Sequence, residues 1–210
     1  MDNSGMRSLV DALLDGDRAR AVTEARSLRN EGVEVERIVV EGLGSAMEQL
    51  DGKCTIEEFN LLEIMLVGRA VMSVVKELFP REVPGEPPRI TVVVASLEGD
   101  VHDLGKNIVK MVLSGKGYRV IDCGKDCPLG TLIDAAERHG AAAIGISGLI
   151  TTVISQVKKA KELLEQRGLG HIKVLAGGAA LKQATAESLK VDFVAETAFD
   201  GVRYLGSALR

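Results

Sequence analysis

Two adjoining segments decide the fold of this chain: Ile90-Thr91-Val92-Val93-Val94-Ala95 and Asp100-Val101-His102-Asp103-Leu104-Gly105. The first is an unbroken apolar run rich in β-branched residues, which is typical of a strand buried on both faces of a parallel sheet. The second opens a helical pattern that extends from Lys106 to Gly117. A buried strand, a short loop and a helix in this order predict the first unit of an α/β fold.

The alternation of strand and helix continues to the end of the chain. Apolar segments predict strands at 90–96, 118–123, 142–147, 172–176 and 192–195. Amphipathic patterns predict helices at 105–116, 129–139, 152–167, 180–189 and 199–208. We therefore expect a flavodoxin-like (Rossmann-like) sheet of five parallel strands in the order 2-1-3-4-5, with helices on both faces.

The first 79 residues follow a helical period instead. Apolar residues recur at helical spacing in three stripes, which end near Gly16, Gly32 and Gly52. Thr55 with Glu58 three residues later is a capping-box signature, which predicts the start of a fourth helix. Four helices joined by short loops predict an antiparallel four-helix bundle.

A proline-rich segment at 80–89 separates the two patterns and holds four of the five prolines. Proline fixes its own φ and disfavours helix in the residue before it, so this segment predicts an extended linker. We therefore expect a helical domain at 1–79, a linker at 80–89 and an α/β domain at 90–210.

Composition narrows the classes of function. A net charge of -4 without a basic block argues against nucleic acid and against an anionic membrane surface as partners. The absence of Trp and an aromatic content of 3% argue against base-stacking platforms. No apolar run approaches the ~20 residues that cross a bilayer, and the polar start does not resemble a signal peptide. Three irregularly spaced cysteines do not form a disulfide framework, so we expect a cytoplasmic protein.

Two later motifs are expected to meet the first one at a single edge of the sheet. Ser147-Gly148-Leu149 ends the third predicted strand and Gly177-Gly178 ends the fourth, whereas His102 follows the first. In the order 2-1-3-4-5 these three strands are neighbours. Ligands of open α/β sheets bind beyond the carboxyl ends of the strands, where the strand order reverses. The three motifs therefore predict one binding site.

His102 is the candidate metal ligand of this site. An imidazole binds a transition metal through a nitrogen that carries no proton. Asp100 is placed to accept the N–H of the other ring nitrogen, which fixes the tautomer and raises the basicity of the ligand. Asp103 and Thr151 each allow two interpretations. The side chain either caps the helix that follows or contacts the ligand.

Together these motifs resemble the cobalamin-binding signature D-x-H-x-x-G, S-x-L and G-G. Residues 99–198 resemble the cobalamin-binding domain of methionine synthase and of the small corrinoid proteins of methyltransferase systems, and residues 5–79 resemble the helical cap domain before it. The resemblance implies a cobalamin or related corrinoid cofactor, with His102 as the lower axial cobalt ligand and Asp100 as its hydrogen-bond partner. It also implies cofactor contacts by Gly99, Val101, Asp103, Gly105, Ser147, Leu149, Thr151, Gly177, Gly178 and Ala198.

Two positions depart from that family's pattern. Methionine synthase has a serine that extends the histidine–aspartate relay, whereas this chain has Val153 there, so the relay is predicted to stop at Asp100. In the cap, an aromatic–Leu–Pro pattern is replaced by Asn60-Leu61-Leu62, with Phe59 one place earlier. The cap helix that begins here resembles the segment over the upper face of the corrin, and how that face is shielded is left open.

The resemblance implies a carrier of methyl groups that does not catalyse transfer alone. Its cobalt would cycle between Co(I) and methyl-Co(III), between a donor-specific methyltransferase and an acceptor methyltransferase that uses tetrahydrofolate or a thiol. A reductive activase is a further expected partner. Two alternatives remain. One is a cobalamin-sensing regulatory module, for which no basic DNA-binding segment is visible. The other is the small subunit of an adenosylcobalamin-dependent mutase, which the helical cap argues against.

Overall fold

A computed structural model describes residues 4–53, 61–79 and 90–209. The chain divides into two compact units, Met1–Pro80 and Arg81–Arg210. The predicted capping box at Thr55 and the whole predicted linker at 80–89 lie outside the described residues. Within the described ranges, no helix combines the length and the apolar character that crossing a membrane requires.

The first unit is helical. Its elements are α1 (Ser4–Leu14), α2 (Arg18–Asn30), α3 (Val35–Arg37), a π-helical segment (Ile38–Leu43), α4 (Gly44–Lys53) and α5 (Leu61–Leu78). Helix α1 packs against α2 and against the π-helical segment, and α2 packs along α5. A Cβ added to Gly42 would lie 2.9 Å from the side chain of Leu9, so glycine lets the π-helical segment approach α1. The predicted helical bundle is confirmed, with its third helix divided by a π turn.

The second unit is built on a five-stranded sheet. Its strands are β1 (Thr91–Ser96), β2 (Arg119–Asp122), β3 (Ala143–Ser147), β4 (Lys173–Gly177) and β5 (Phe193–Ala195). They pair in the order β2-β1-β3-β4-β5, and every pairing is parallel. The predicted strand order is confirmed, so the carboxyl ends of β1, β3 and β4 lie side by side.

Helices cover both faces of this sheet. They are α6 (Leu104–Gly115), α7 (Leu129–Arg138), α8 (Ile154–Val157), α9 (Ala160–Gln166), α10 (Ala186–Leu189) and α11 (Ala198–Ala208). Val93 of β1 belongs to the apolar cluster that includes α7, α8 and α9, whereas Val92 belongs to the cluster that includes α6 and α11. Because β1 is buried on both sides, its sequence is apolar without alternation, as predicted.

Two predicted helices differ from the structure. The helix predicted at 152–167 starts as a 3-10 turn (Thr151–Val153) and is interrupted between α8 and α9. The helix predicted at 180–189 is wrong over its first half, because only Ala186–Leu189 is helical.

Contacts with the loop after β3 explain the second difference. The backbone N–H of Ala180 donates to the carbonyl of Gly148 at 3.2 Å. Leu181 is fully buried, and its side chain lies 2.9 Å from the position that a Cβ on Gly148 would take. The segment after β4 therefore turns onto the loop after β3 before the short helix α10 begins.

Candidate functional site

The carboxylate of Asp100 holds His102 through two hydrogen bonds. Oδ1 of Asp100 lies 2.8 Å from Nδ1 of His102 and accepts the backbone N–H of His102 at 3.0 Å. The Asp100 side chain is fully buried, whereas the His102 side chain is 52% exposed. An ionised carboxylate only accepts hydrogen bonds, so Nδ1 carries a proton, and in the neutral imidazole the lone pair then lies on Nε2. A neutral imidazole in this tautomer is a ready metal ligand.

The second oxygen of Asp100 joins the first motif to the second. Oδ2 accepts the backbone N–H of Leu149 at 2.7 Å. Burial raises the pKa of Asp100, but the hydrogen bonds from Leu149 and His102 outweigh it, and the pKa lies below its ordinary value. Asp100 is therefore an anion that connects the loops after β1 and β3.

Val153 takes no part in this hydrogen bonding. It is fully buried within the apolar cluster on the α7 face of the sheet. Its Cγ2 lies 2.9 Å from the position that a Cβ on Gly148 would take. The side chain that replaces the family's serine thus fills the core, and the second carboxylate oxygen of Asp100 is satisfied by the main chain.

The second and third motifs touch through their backbones. The N–H of Gly148 donates to the carbonyl of Gly177 at 2.9 Å. Gly178 has a φ of +98°, and a Cβ added to it would lie 2.6 Å from the Gly148 oxygen. Internal packing alone therefore requires glycine at position 178. The cofactor contacts of Gly177 and Gly178 stay predictions.

Gly105 and Ser147 bring the first helical turn of α6 against β3. A Cβ added to Gly105 would lie 3.2 Å from Oγ of Ser147. Ser147 ends β3, where it is paired with Ser96 of β1 and with Gly177 of β4. Oγ of Ser96, which is buried, donates to the carbonyl of His102 at 2.7 Å. All three motifs consequently meet at the carboxyl edge of the sheet.

Asp103 and Thr151 occupy helix starts without capping them. Asp103 precedes α6 and its backbone carbonyl accepts the N–H of Asn107, but its side chain makes no capping hydrogen bond. Thr151 opens the 3-10 turn, and no side chain caps that turn or α8. The capping interpretation is therefore wrong for both side chains, and contact with a ligand stays a prediction.

The residue before His102 and the residue whose N–H binds Asp100 both carry exposed apolar side chains. Val101 is 57% exposed and Leu149 is 48% exposed, although both are large apolar residues. Exposed apolar side chains beside a potential metal ligand suit a flat, largely apolar ligand such as a corrin. The structure therefore fits the implied cofactor at His102.

Two further predicted contacts lie at the same edge. Gly99 precedes Asp100 and has a φ of +89°, a conformation that favours glycine. Ala198 begins α11 directly after β5, the strand that pairs with β4. Their contacts with a cofactor also stay predictions.

Sequence reasoning missed a charged cluster beside this site. Nζ of Lys106 donates to Oδ1 of Asp122 at 2.7 Å, and Nζ of Lys110 donates to Oδ2 at 3.1 Å. The Lys106 side chain is only 3% exposed. Burial raises the pKa of Asp122, but hydrogen bonds from Lys106, the Gly124 N–H and Lys110 outweigh it and lower the pKa. A lysine placed directly after Gly105 of the motif was the available signal.

Asp126 was missed as well. Its Oδ1 accepts the N–H of Gly99 at 2.7 Å, and its own N–H donates to the carbonyl of Asp100 at 3.0 Å. The only signal in the sequence was a turn-forming composition, Gly124-Lys125-Asp126, after the second predicted strand. Asp126 therefore contacts the backbone of the loop that carries His102.

Protein side chains alone do not form a metal cage in the part of the chain that the structure describes. No group of three or more His, Cys, Asp or Glu side chains there could hold a metal ion. A single imidazole with a free nitrogen instead fits a metal whose other ligands come from a macrocycle.

Comparison with known proteins gives the same assignment over nearly the whole chain. Two family models, each described as a B12 binding domain, match residues 90–203 and 6–78. The chain is similar to dimethylamine corrinoid protein 3 of Methanosarcina acetivorans, with 33% identity over 199 residues, 94% of this chain and 93% of that protein. It is also similar to trimethylamine corrinoid protein 1 of Methanosarcina mazei, with 27% identity over 203 residues, 95% of this chain and 94% of that protein.

A solved structure has the same fold. The monomethylamine corrinoid protein of Methanosarcina barkeri is similar with a TM-score of 0.80 and 25% identity, over 96% of this chain and 97% of that chain. The likeness covers both units of the chain.

Proposed function

This chain belongs to the family of B12-binding proteins, which makes a corrinoid its cofactor, and we propose that it is the methyl-carrying subunit of a methyltransferase system. The observation that carries the proposal is the hydrogen-bonded series Leu149–Asp100–His102, in which Asp100 binds Nδ1 of His102 and leaves Nε2 available to a metal. A bound corrinoid would supply the methyl-transfer chemistry at its cobalt, and the protein would hold and orient it.

His102 would hold the cobalt through Nε2. Asp100 keeps the ring proton on Nδ1, so Nε2 remains a lone-pair donor. The two side chains would thereby act together, His102 as the ligand and Asp100 as the group that fixes its tautomer.

The remaining site residues would orient the cofactor and exclude water. Val101 and Leu149 offer apolar surface beside the imidazole. The hydroxyls of Ser147 and Thr151 are suited to hydrogen-bond polar atoms of the nucleotide tail. The small or flexible positions Gly99, Gly105, Gly177, Gly178 and Ala198 would allow close approach of the tail, and Asp103 would contact a polar corrin substituent.

We also propose that the chain consists of a cap domain at 1–79, a linker at 80–89 and a cobalamin-binding domain at 90–210. The helical unit would serve as the cap for the upper face of the corrin. Its helix α5 exposes the apolar side chains of Leu62, Met65 and Leu66, which suit that role.

We further propose a methylated amine as the donor class, because the relatives are named for monomethylamine, dimethylamine and trimethylamine. The partners would be a donor-specific methyltransferase, an acceptor methyltransferase that uses tetrahydrofolate or a thiol, and a reductive activase. The chain would not transfer the methyl group without them.

The test is the transfer of an isotope-labelled methyl group. The protein is loaded with hydroxocobalamin and reduced with titanium(III) citrate. It is then mixed with a methylamine or methanol methyltransferase and the matching labelled amine or methanol, one pair at a time. We expect label on the protein-bound corrinoid with one donor, and loss of that label when an acceptor methyltransferase and its thiol or folate are added. His102→Ala should abolish the signal, whereas the remote His171→Ala should not. A cobalamin-loaded protein that never acquires label would favour the sensing module instead.

A further inference from the structure

We propose that Asp126 is a positioning residue for His102, because it binds the backbone of Gly99 and Asp100, and the Asp100 carboxylate in turn binds His102. The inference rests on the proposed corrinoid site. It adds a residue of the loop after β2 to the machinery that surrounds the cofactor.

Asp126 binds the turn at Gly99 and Asp100 through two hydrogen bonds, one that it accepts and one that it donates. Its carboxylate accepts the N–H of Gly99 at 2.7 Å, and its backbone N–H donates to the carbonyl of Asp100 at 3.0 Å. The two bonds bracket Gly99 and Asp100, so they restrict both the position and the orientation of the turn.

The backbone of Asp126 indicates that its side chain is needed. Asp126 has a φ of +53°, a conformation that glycine adopts freely and other residues adopt at a cost. Gly124 in the same loop has a φ of +84°. Glycine at position 126 would relieve the strain but would remove the bond to Gly99. Strained residues of this kind are concentrated at functional sites.

The path from Asp126 to the imidazole is short. Oδ1 of Asp100 binds Nδ1 of His102, so a displacement of the Asp100 backbone moves the ring. The turn stays attached without the Asp126 carboxylate, because the N–H of Glu98 donates to the carbonyl of Cys127 at 2.9 Å. Loss of the carboxylate should therefore loosen the histidine without unfolding the loop.

The experiment compares Asp126→Gly, Asp126→Asn and the control Lys190→Gly. Lys190 is the other non-glycine residue with positive φ in the described ranges, at +54°, and it is an exposed residue at the end of α10. Asp126→Gly and Lys190→Gly both relieve backbone strain, but only the first removes a bond to the site. Asparagine keeps an acceptor oxygen and tolerates positive φ.

The first readouts are the Kd for hydroxocobalamin and the electron paramagnetic resonance spectrum of the bound Co(II) form in ¹⁵N-labelled protein. In Asp126→Gly we expect about tenfold weaker binding, equivalent to the loss of one hydrogen bond, and a smaller fraction of cobalt coupled to a protein nitrogen. Asp126→Asn and Lys190→Gly should stay within about threefold of the wild type.

A second readout needs no cofactor. Amide hydrogen exchange at Gly99 of the apo-protein should be about tenfold faster in Asp126→Gly than in the wild type, whereas the exchange rates within β1 should not change. Equal affinity and equal nitrogen coupling in Asp126→Gly and wild type would overturn this inference alone. A loss in Asp126→Asn as large as that in Asp126→Gly would overturn it too, because the acceptor oxygen is still present. A wild-type protein whose cobalt couples to no protein nitrogen would overturn the proposed function and this inference together.

Discussion

A 2.7 Å hydrogen bond joins the backbone N–H of Leu149 to Oδ2 of Asp100, two residues that lie 49 positions apart. It ties the loop after β3 to the loop after β1, and the other oxygen of the same carboxylate holds His102. A backbone N–H can donate but cannot accept, so it anchors the carboxylate without passing a proton onward. Main-chain geometry therefore sets the orientation of His102, while Val153 is buried in the apolar core.

Close backbone packing at the third motif predicts a steric defect in Gly178→Ala. A Cβ at Gly178 meets backbone atoms of Gly148 at 2.6 Å, whereas a Cβ at Gly168 meets no atom within 4 Å. Both glycines have positive φ, so Gly168→Ala is the matched control for strain alone. We expect a loss of about 1 kcal/mol in the free energy of unfolding for Gly168→Ala and about 3 kcal/mol for Gly178→Ala. Urea denaturation measures both, and equal losses would contradict the packing described.

The buried lysine after the first motif predicts unequal effects for the two lysines that contact Asp122. The Lys106 side chain is 3% exposed and the Lys110 side chain is 44% exposed. Removing one partner of a buried pair leaves the other charge poorly compensated, so Lys106→Met should lower the free energy of unfolding by about 3 kcal/mol. Lys110→Met should lower it by less than about 1 kcal/mol, because solvent screens an exposed pair. Chemical denaturation measures the free energy of unfolding of both variants. A larger loss in Lys110→Met than in Lys106→Met would contradict this prediction.

The same cluster predicts an acid-dependent contribution to stability. Burial raises the pKa of Asp122, but its hydrogen bonds lower the pKa below the ordinary value of 3.8. A group with a lowered pKa stabilises the folded state above its unfolded pKa and loses that effect as the pH falls through the folded value. The stability difference between wild type and Asp122→Asn should be full near about pH 6 and shrink toward about pH 2. Urea titrations across that range measure the difference, and a difference that grows on acidification would refute the assignment.

Burial of the thiols after β2 predicts that they react slowly with alkylating reagents. Burial, together with the neighbouring Cys123, raises the pKa of Cys127 to about 11. Burial raises the pKa of Cys123 as well, and the charge of Asp122 adds to it. Because the thiolate is the reactive form, iodoacetamide at neutral pH should label Cys127 at least about a hundredfold more slowly in native protein than in urea. Peptide mapping by mass spectrometry follows the labelling, and comparable rates in the two states would argue against a buried, protonated thiol.

Much of the fold could be predicted because two-sided burial leaves a direct mark on a sequence. The run Val92-Val93-Val94 is apolar because alternate residues enter opposite cores. The segment at 180–184 could not be predicted in the same way. Its local pattern fits a helix, but Ala180 donates to the carbonyl of Gly148, which lies on a different loop. A contact with a distant acceptor leaves no periodic signal.

The site residues likewise fall into those that a local sequence motif identifies and those that only long-range contacts reveal. His102 and Asp100 were identifiable because they lie two residues apart within one motif, and the structure joins them at 2.8 Å. Asp126 was not identifiable, because it acts on the backbone of Gly99, 27 residues away. Leu149 was expected at the site, but its contribution through a backbone N–H carries no side-chain signature.

The most direct test of the central claim is the electron paramagnetic resonance spectrum of the Co(II) form bound to ¹⁵N-labelled protein. The free Nε2 of His102, fixed by Asp100, predicts a nitrogen coupling that changes with the labelling of the protein. That coupling should disappear in His102→Ala and persist in His139→Ala, a histidine at the end of α7. A nitrogen coupling that does not change when the protein is labelled with ¹⁵N, or that remains in His102→Ala, would show that another nitrogen binds the cobalt.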